Sequence, residues 1–237
     1  MAELLKLSGI NKVYGEKIKT QVLFDIDLAF EAGSFNAVIG ESGSGKSTLM
    51  NIMGTLDRPT SGEVVINGTK TASMTKDQLA ELRNQTIGFI FQFHYLLPEF
   101  TVLENVLMPA LIRKGRIDDR DKKRALELID LVGLSRVKSN LATDLSGGQQ
   151  QRTAIARSLI NEPKIILGDE PTGNLDSQTT ESIYTLLREI NQEIKSTFII
   201  ITHDQRIAEK ADRILEIKDG RINLDVDKYV AKTGGNA

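Results

Sequence analysis

The segment GESGSGKS, residues 40 to 47, constrains the fold of this chain more than any other feature. It follows the apolar run SFNAVIG, which has the pattern of a buried strand, and precedes STLMNIMGTL, which has a helical pattern. In this context it matches G-x-x-x-x-G-K-[ST], with Gly40, Gly45, Lys46 and Ser47 at the fixed positions. Small residues let main-chain N–H groups surround phosphates, and a helix N-terminus favours negative charge. The segment therefore predicts a phosphate-binding loop.

The residue types in this loop indicate a nucleotide accompanied by Mg²⁺. Lys46 provides a cation for the β- and γ-phosphates, and Ser47 provides a hydroxyl ligand for the metal. The other loop positions that we expect beside the phosphates are Ser42, Gly43, Ser44 and Thr48.

Hydrophobic patterning predicts an α/β fold with a mostly parallel core sheet. Three further near-continuous apolar runs, at 86–91, 164–170 and 197–204, have the pattern of strands buried on both faces, and helical patterns separate them. Residues 1–33 and 62–70 instead alternate apolar and polar positions, which predicts a smaller antiparallel sheet.

We expect a single domain over residues 1–237. Its nucleotide-binding core comprises 1–92 and 146–237, including the antiparallel part. Residues 93–145 show helical patterns and no buried-strand pattern, so they are expected to form a helical subdomain.

Polar residues at the ends of two predicted strands complete a site for hydrolysis. Asp169 and Glu170 follow the strand IILG, and successive strand residues point in opposite directions. Asp169 is therefore expected in the Mg²⁺ sphere and Glu170 at the attacking water, as a general base. His203 follows the strand FIIIT and is a candidate for bonding the γ-phosphate; a strand-end histidine with a local partner is the alternative.

A second glycine-rich stretch, LSGGQQQR, begins at Leu145 and precedes a helix, but it lacks the lysine of the first loop. Ser146 is suited to cap that helix, and the N–H groups after Gly147 and Gly148 form a second anion-binding end. The spacing alone leaves two possibilities: another anion, or the same nucleotide approached from a different direction.

Together these motifs resemble the ATP-binding subunits of ABC transporters. The phosphate loop, Gln92, LSGGQQQR, IILGDE, the segment GNLD with Asp176, and His203 occur in that family's order through nearly the whole chain. The resemblance implies a P-loop NTPase fold, ATP and Mg²⁺ as cofactors, and ATP hydrolysis. It also implies that Gln92 lies near Mg²⁺, and that Tyr14 stacks on adenine; a strand-edge tyrosine that fills the small sheet is the alternative.

The same resemblance implies the partners. In the family, two copies associate head to tail, so that Ser146 and Gly148 of one copy cover the nucleotide on the phosphate loop of the other. Within the family the chain is similar to lipoprotein-releasing ATPases and to macrolide and peptide exporters of the MacB type. We therefore expect a separate membrane permease, and the alternative is a regulatory ATPase that moves no cargo.

Composition limits the remaining classes. The net charge of −2 provides no basic field for nucleic acid, so no nucleic-acid partner is expected. The absence of cysteine is compatible with a reducing compartment, and no apolar run approaches about 18 residues. We expect a cytoplasmic protein held at the inner face of the cell membrane by its permease. The aromatic segment FIFQFHYLLPEF, residues 89–100, is either a docking groove for that permease or part of the core.

Overall fold

The computed structural model describes residues 3–204 and 208–228. The strands are β1 (Glu3–Tyr14), β2 (Thr20–Glu31), β3 (Phe35–Ile39), β4 (Ser61–Ile66), β5 (Thr69–Lys70), β6 (Ile87–Phe91), β7 (Ile165–Asp169), β8 (Thr197–Ile201), β9 (Arg213–Lys218) and β10 (Arg221–Asp227). The α-helices are α1 (Lys46–Met53), α2 (Lys76–Thr86), α3 (Val102–Lys114), α4 (Asp119–Leu131), α5 (Gly147–Leu159) and α6 (Ser177–Ile194). The chain forms two compact units, one of Met1–Ala80 with Lys195–Ala237 and one of Glu81–Ile194.

The first unit contains the predicted antiparallel sheet, in the order β2-β1-β4-β5. Alternation along β1 buries Leu5 and Leu7, and after a register shift the strand buries Ile10; each is 1% exposed or less. The predicted antiparallel sheet is therefore confirmed from Glu3 onward, and residues 1–2 lie outside the described part of the chain.

The first unit also contains parallel strands that carry the phosphate loop. β3 lies between β8 and β9 and is parallel to both, and all five residues of β8 are buried. The sequence analysis did not predict β9 and β10, which form an antiparallel hairpin closed by Asp219 and Gly220. Asp-Gly between alternating residues is a strong hairpin signal, so this pair was detectable.

In the second unit, β6 and β7 pair in parallel, and α5 packs on β6. Gly88 permits this close approach, because a Cβ at that position would meet the main-chain oxygen of Ser158 in α5. Residues 101–145 form α3, α4 and two 3₁₀ turns, at Ser135–Val137 and Ala142–Asp144. The helical character of this region is confirmed, while its boundaries as a subdomain remain a prediction.

Across residues 3–204 and 208–228, no helix combines the length and the apolar character needed to cross a bilayer.

Candidate functional site

The predicted site residues divide between the two units. The first unit holds Tyr14, Gly40, Ser42, Gly43, Ser44, Gly45, Lys46, Ser47, Thr48 and His203; the second holds Gln92, Ser146, Gly147, Gly148, Asp169, Glu170 and Asp176.

The phosphate loop takes a backbone path that requires glycine. Gly40 has φ 150°, and a Cβ there would meet the main-chain oxygen of Ile217 and lie 2.8 Å from Ser44 Oγ. Gly45, with φ 107°, is the N-cap of α1. The β9–β10 turn supports the loop, since Gly220 N donates to Ser44 O at 3.0 Å. The curvature therefore follows from glycines and from packing against a hairpin.

Polar groups in this loop fit the phosphates of ATP. Lys46 Nζ donates to the main-chain oxygens of Gly40 at 2.9 Å and Glu41 at 2.8 Å, so its ammonium lies at the loop. No side chain caps the N-terminus of α1. The hydroxyl of Ser44 is buried and has no hydrogen-bond partner among the described residues. A buried hydroxyl and uncapped helical N–H groups are donors that an anion would satisfy.

Tyr14 ends β1 and lies beside this loop. Tyr14 is 40% exposed, its hydroxyl donates to Asp57 Oδ2 at 2.7 Å, and the side chain of Thr48 in α1 lies near enough to act to lower its pKa. Partial burial, followed by the bond to Asp57, raises the pKa of Tyr14. The predicted phosphate-site residue Thr48 thus lies near the predicted adenine-stacking residue.

His203, the other predicted residue of the first unit, lies two positions after β8 and is exposed.

Asp169 and Glu170 lie at the end of β7, both partly exposed, after the buried residues Ile165–Gly168. Asp169 is the last strand residue. Glu170 has φ 44°, in the left-handed region that non-glycine residues rarely occupy, and Gly173 N donates to its main-chain oxygen at 2.9 Å. Such conformations cluster at functional sites. The chain therefore leaves the extended conformation at Glu170, which strand alternation alone did not predict.

Gln92 follows β6 and contacts the segment after Glu170. Gln92 Nε2 donates to Asn174 Oδ1 at 3.2 Å, and Asn174 Nδ2 donates to the main-chain oxygen of Gln92 at 3.4 Å. A Cβ at Gly173 would lie 2.6 Å from Gln92 Nε2. The structure therefore brings Gln92 and the segment GNLD together.

Ser146 of the LSGGQQQR stretch caps α5, as predicted, and Gln149 completes a capping box. Ser146 Oγ accepts from Gln149 N at 3.4 Å, and Gln149 Oε1 accepts from Ser146 N at 2.9 Å. Ser146 and Gly147 are exposed, whereas a Cβ at Gly148 would lie 2.9 Å from Thr179 Cγ2 in α6. This contact places the second glycine stretch against the start of α6.

Asp176 directly precedes α6 and accepts three hydrogen bonds from its first turn. Its Oδ1 accepts from Gln178 N at 3.1 Å and Thr179 N at 3.0 Å, and its Oδ2 accepts from the Thr179 hydroxyl at 2.6 Å. The bonds from Thr179 lower the pKa of Asp176, which keeps the carboxylate ionised.

Comparison with known proteins identifies the family. The family model described as ABC transporter matches residues 23–173. The chain belongs to the ABC transporter family. Lipoprotein-releasing system ATP-binding protein LolD 1 of Rhodopseudomonas palustris is 51% identical over 94% of this chain and 99% of the relative. The LolD protein of Shewanella oneidensis is 47% identical over 93% of this chain and 96% of the relative.

A solved structure supports the same conclusion for the fold. It is a dimeric ATP-binding cassette in a post-hydrolysis state, bound to ADP and Pi, with a TM-score of 0.87 and 41% identity over 95% of this chain and 99% of that one. The predicted α/β P-loop NTPase fold is therefore confirmed. Within this ABC transporter chain, the roles of all the predicted site residues remain predictions. Tyr14, Asp176 and His203 also lie outside the segment that matches the family model.

Sequence reasoning missed two groups of residues in this ABC transporter chain. Lys12 and Asp57 surround Tyr14; Lys12 was detectable, because residues two apart on a strand share a face, whereas Asp57 is distant in sequence. Asn105 and Arg157 hold the segment that follows Gln92, through contacts that no local pattern encodes.

Proposed function

We propose that this chain is the ATP-hydrolysing subunit of a lipoprotein-releasing ABC transporter. The observation that carries the proposal is the phosphate loop, in which a lysine ammonium, an uncapped helix and a buried unpaired serine hydroxyl lie together. Relatives of nearly equal length that carry the lipoprotein-releasing name support the choice of transporter class. The comparisons provide no support for the alternative of a regulatory ATPase that moves no cargo.

The residues divide the chemistry in the following way. Gly40, Ser42, Gly43, Ser44, Gly45 and Thr48 form the loop that holds the phosphates, and Lys46 neutralises developing charge on them. Ser47, Gln92 and Asp169 provide oxygen ligands suited to Mg²⁺, which supplies charge neutralisation when bound. Glu170 accepts a proton from the attacking water, and His203 donates to the γ-phosphate.

The second glycine stretch is proposed to complete the site of a second copy. Ser146 is exposed at the N-terminus of α5, where helical N–H groups favour an anion. In a head-to-tail pair, Ser146, Gly147 and Gly148 of one copy cover the γ-phosphate held by the other. The dimeric state of the ADP-bound neighbour supports this arrangement. Hydrolysis should then depend on protein concentration, because each site is incomplete in a monomer.

The segment that follows Gln92 is proposed to receive the membrane permease. Of residues 89–100, Ile90 is buried in β6, whereas Phe93, Tyr95 and Leu97 are 65%, 63% and 38% exposed. Asn105, itself 1% exposed, donates to the main-chain oxygens of Leu97, Phe100 and Thr101 at 3.0–3.1 Å. We name residues 92–100 the coupling loop. Exposed apolar side chains on a fixed backbone suit a helix of a permease, which would hold the chain at the inner face of the membrane.

Replacing the proposed base tests the enzymatic proposal. Glu170→Gln should bind ATP, lose about 10²-fold or more of the hydrolysis rate and accumulate as a dimer by light scattering. Glu189→Gln, at an exposed position of α6, is the matched control and should hydrolyse ATP and dissociate like the wild type. A Glu170→Gln protein with full activity would contradict the assignment of the base.

The transporter class is tested by co-purification. The Glu170→Gln chain should retain from solubilised membranes a permease with few transmembrane helices and a large extracytoplasmic domain. Recovery of soluble or cell-division proteins alone would contradict the transporter class while leaving the ATPase assignment intact.

A further inference from the structure

Three residues of the first unit form a hydrogen-bonded group at the end of β1. Asp57 Oδ1 accepts from Lys12 Nζ at 2.7 Å, and Asp57 Oδ2 accepts from the Tyr14 hydroxyl at 2.7 Å. Lys12 also donates to the main-chain oxygen of Arg58 at 2.7 Å. Both carboxylate oxygens of Asp57 are therefore engaged, one by a cation and one by a phenol.

Lys12 covers one face of the Tyr14 ring. Its Nζ lies 4.6 Å from the ring centroid, and Lys12 is 8% exposed whereas Tyr14 is 40% exposed. An ammonium over an aromatic face is attracted by the ring quadrupole. The ring is thus held from one side, and a flat ligand can stack only from the other.

The group is fixed to the helix that begins at the phosphate loop. Asp57 follows α1, and its N–H donates to Asn51 O of that helix at 3.1 Å. Thr48, in the first turn of α1, lies near enough to the Tyr14 hydroxyl to act on its pKa. The bond from Asp57 to α1 and the bond from Tyr14 to Asp57 therefore tie the ring to the helix that begins at the phosphate loop.

The charges of the group reinforce this geometry. Burial acts to raise the pKa of Asp57, but the hydrogen bonds from Lys12 and Tyr14 outweigh it and the pKa is lowered overall. Partial burial and Asp57 raise the pKa of Tyr14, so the phenol remains a donor to an ionised acceptor at neutral pH. Hydrogen bonds of this charge-assisted kind are stronger than neutral ones.

We propose that Asp57 and Lys12 are positioning residues that hold the Tyr14 ring at the orientation and distance from the phosphate loop at which it stacks on the adenine of the nucleotide. The inference rests on the proposed ATPase function, and it assigns to base recognition two residues that contact neither base nor phosphate.

The test separates binding of the base from binding of the phosphates. Dissociation constants of Mg-ADP and Mg-pyrophosphate are measured by calorimetry for the wild type and for Asp57→Ala. Loss of ring orientation should weaken ADP about fivefold to tenfold, because base–aromatic stacking contributes on the order of that factor. The dissociation constant of pyrophosphate, which has no base, should change by less than about twofold. Lys12→Met, which keeps an unbranched side chain, should also weaken ADP alone.

Two further variants distinguish positioning from a structural effect. Asp57→Asn keeps an oxygen acceptor for the Tyr14 hydroxyl and should recover most of the ADP affinity. In a Tyr14→Ala background, Asp57→Ala should weaken the binding of ADP by less than about a further twofold, because the ring through which Asp57 acts is absent. Glu63→Gln breaks the exposed Lys70–Glu63 ion pair of the same sheet, 2.9 Å long, and is the matched control. Circular dichroism establishes that each variant is folded.

Each contrary outcome has a distinct meaning. Equal weakening of ADP and pyrophosphate by Asp57→Ala would overturn the positioning role, because it would place the effect on the phosphate loop. An unchanged ADP affinity in Tyr14→Ala would overturn base stacking, and the inference with it, while leaving the ATPase intact. A wild-type chain that binds neither ligand would overturn the proposed function itself.

Discussion

Arg157 of α5 donates from its guanidinium to the main-chain oxygen of His94 at 2.5 Å, and also to that of Tyr95 at 2.6 Å. His94 and Tyr95 have φ of 56° and 48°, a left-handed pair that is unfavourable for non-glycine residues. The helix that starts with the second glycine stretch therefore holds the coupling loop in a strained turn.

Replacing Arg157 should release this turn. Arg157→Lys retains the charge but lacks the planar fork that spans two adjacent oxygens. The free energy of unfolding should fall by about 1–3 kcal/mol, as for other hydrogen bonds to charged groups, and chymotrypsin should cleave faster at Phe93 and Tyr95. Urea unfolding and timed proteolysis measure both effects. Arg113→Lys, at an exposed position of α3, is the control, and equal behaviour of the two variants would contradict the prediction.

His94 should make stability depend on pH. Burial, and then the positive charge of Arg157, lower the pKa of His94 below its usual 6.5. The unfolded chain therefore binds a proton at higher pH than the folded chain does. The contribution of His94 to the free energy of unfolding is present above pH 6.5 and is lost as the pH falls below it. The urea concentration at the unfolding midpoint should decrease when the pH is lowered from 7.5 to 5.5, and the decrease should be smaller in His94→Gln. Parallel curves for the two proteins would exclude the effect.

The unpaired hydroxyl of Ser44 should matter only when nucleotide is bound. Without nucleotide, Ser44→Ala removes a buried polar atom that lacks a partner, so stability should be unchanged or higher by up to about 1 kcal/mol. Affinity for Mg-ADP should fall about threefold to tenfold through the lost hydrogen bond. Thermal unfolding with and without ADP checks both results. Ser158→Ala is a useful contrast, because its buried hydroxyl donates to Ile155 O at 2.7 Å and its removal should destabilise.

The contact between Gly148 and Thr179 predicts a compensating pair of substitutions. Gly148→Ala places a Cβ 2.9 Å from Thr179 Cγ2, whose rotation is restricted by the bond to Asp176, so stability should fall by about 1–3 kcal/mol. Thr179→Ser removes the opposing methyl group and should restore most of the loss. Gly147→Ala is the control, since its nearest contact is 3.4 Å, an acceptable separation, and alanine favours helix. Chemical denaturation of the single and double variants measures these changes in the free energy of unfolding. A double variant as unstable as Gly148→Ala would contradict the predicted compensation.

The sequence by itself determined the local parts of this protein. The continuous apolar runs predicted β3, β6, β7 and β8, because strands buried on both faces consist mostly of apolar residues. The phosphate loop and the cap at Ser146 were predictable because their chemistry lies within a few consecutive residues.

Only the tertiary structure decided the contacts between distant segments. Three contacts join positions more than 25 residues apart. They are the hydrogen bonds of Asp57 with Lys12 and Tyr14, the hydrogen bonds from Arg157 to the coupling loop, and the packing of Gly148 against Thr179. The left-handed turn at Glu170 is likewise maintained by its surroundings rather than by the preference of glutamate. The physical reason is that periodicity and capping record interactions within a few residues, whereas these contacts depend on how the folded chain packs.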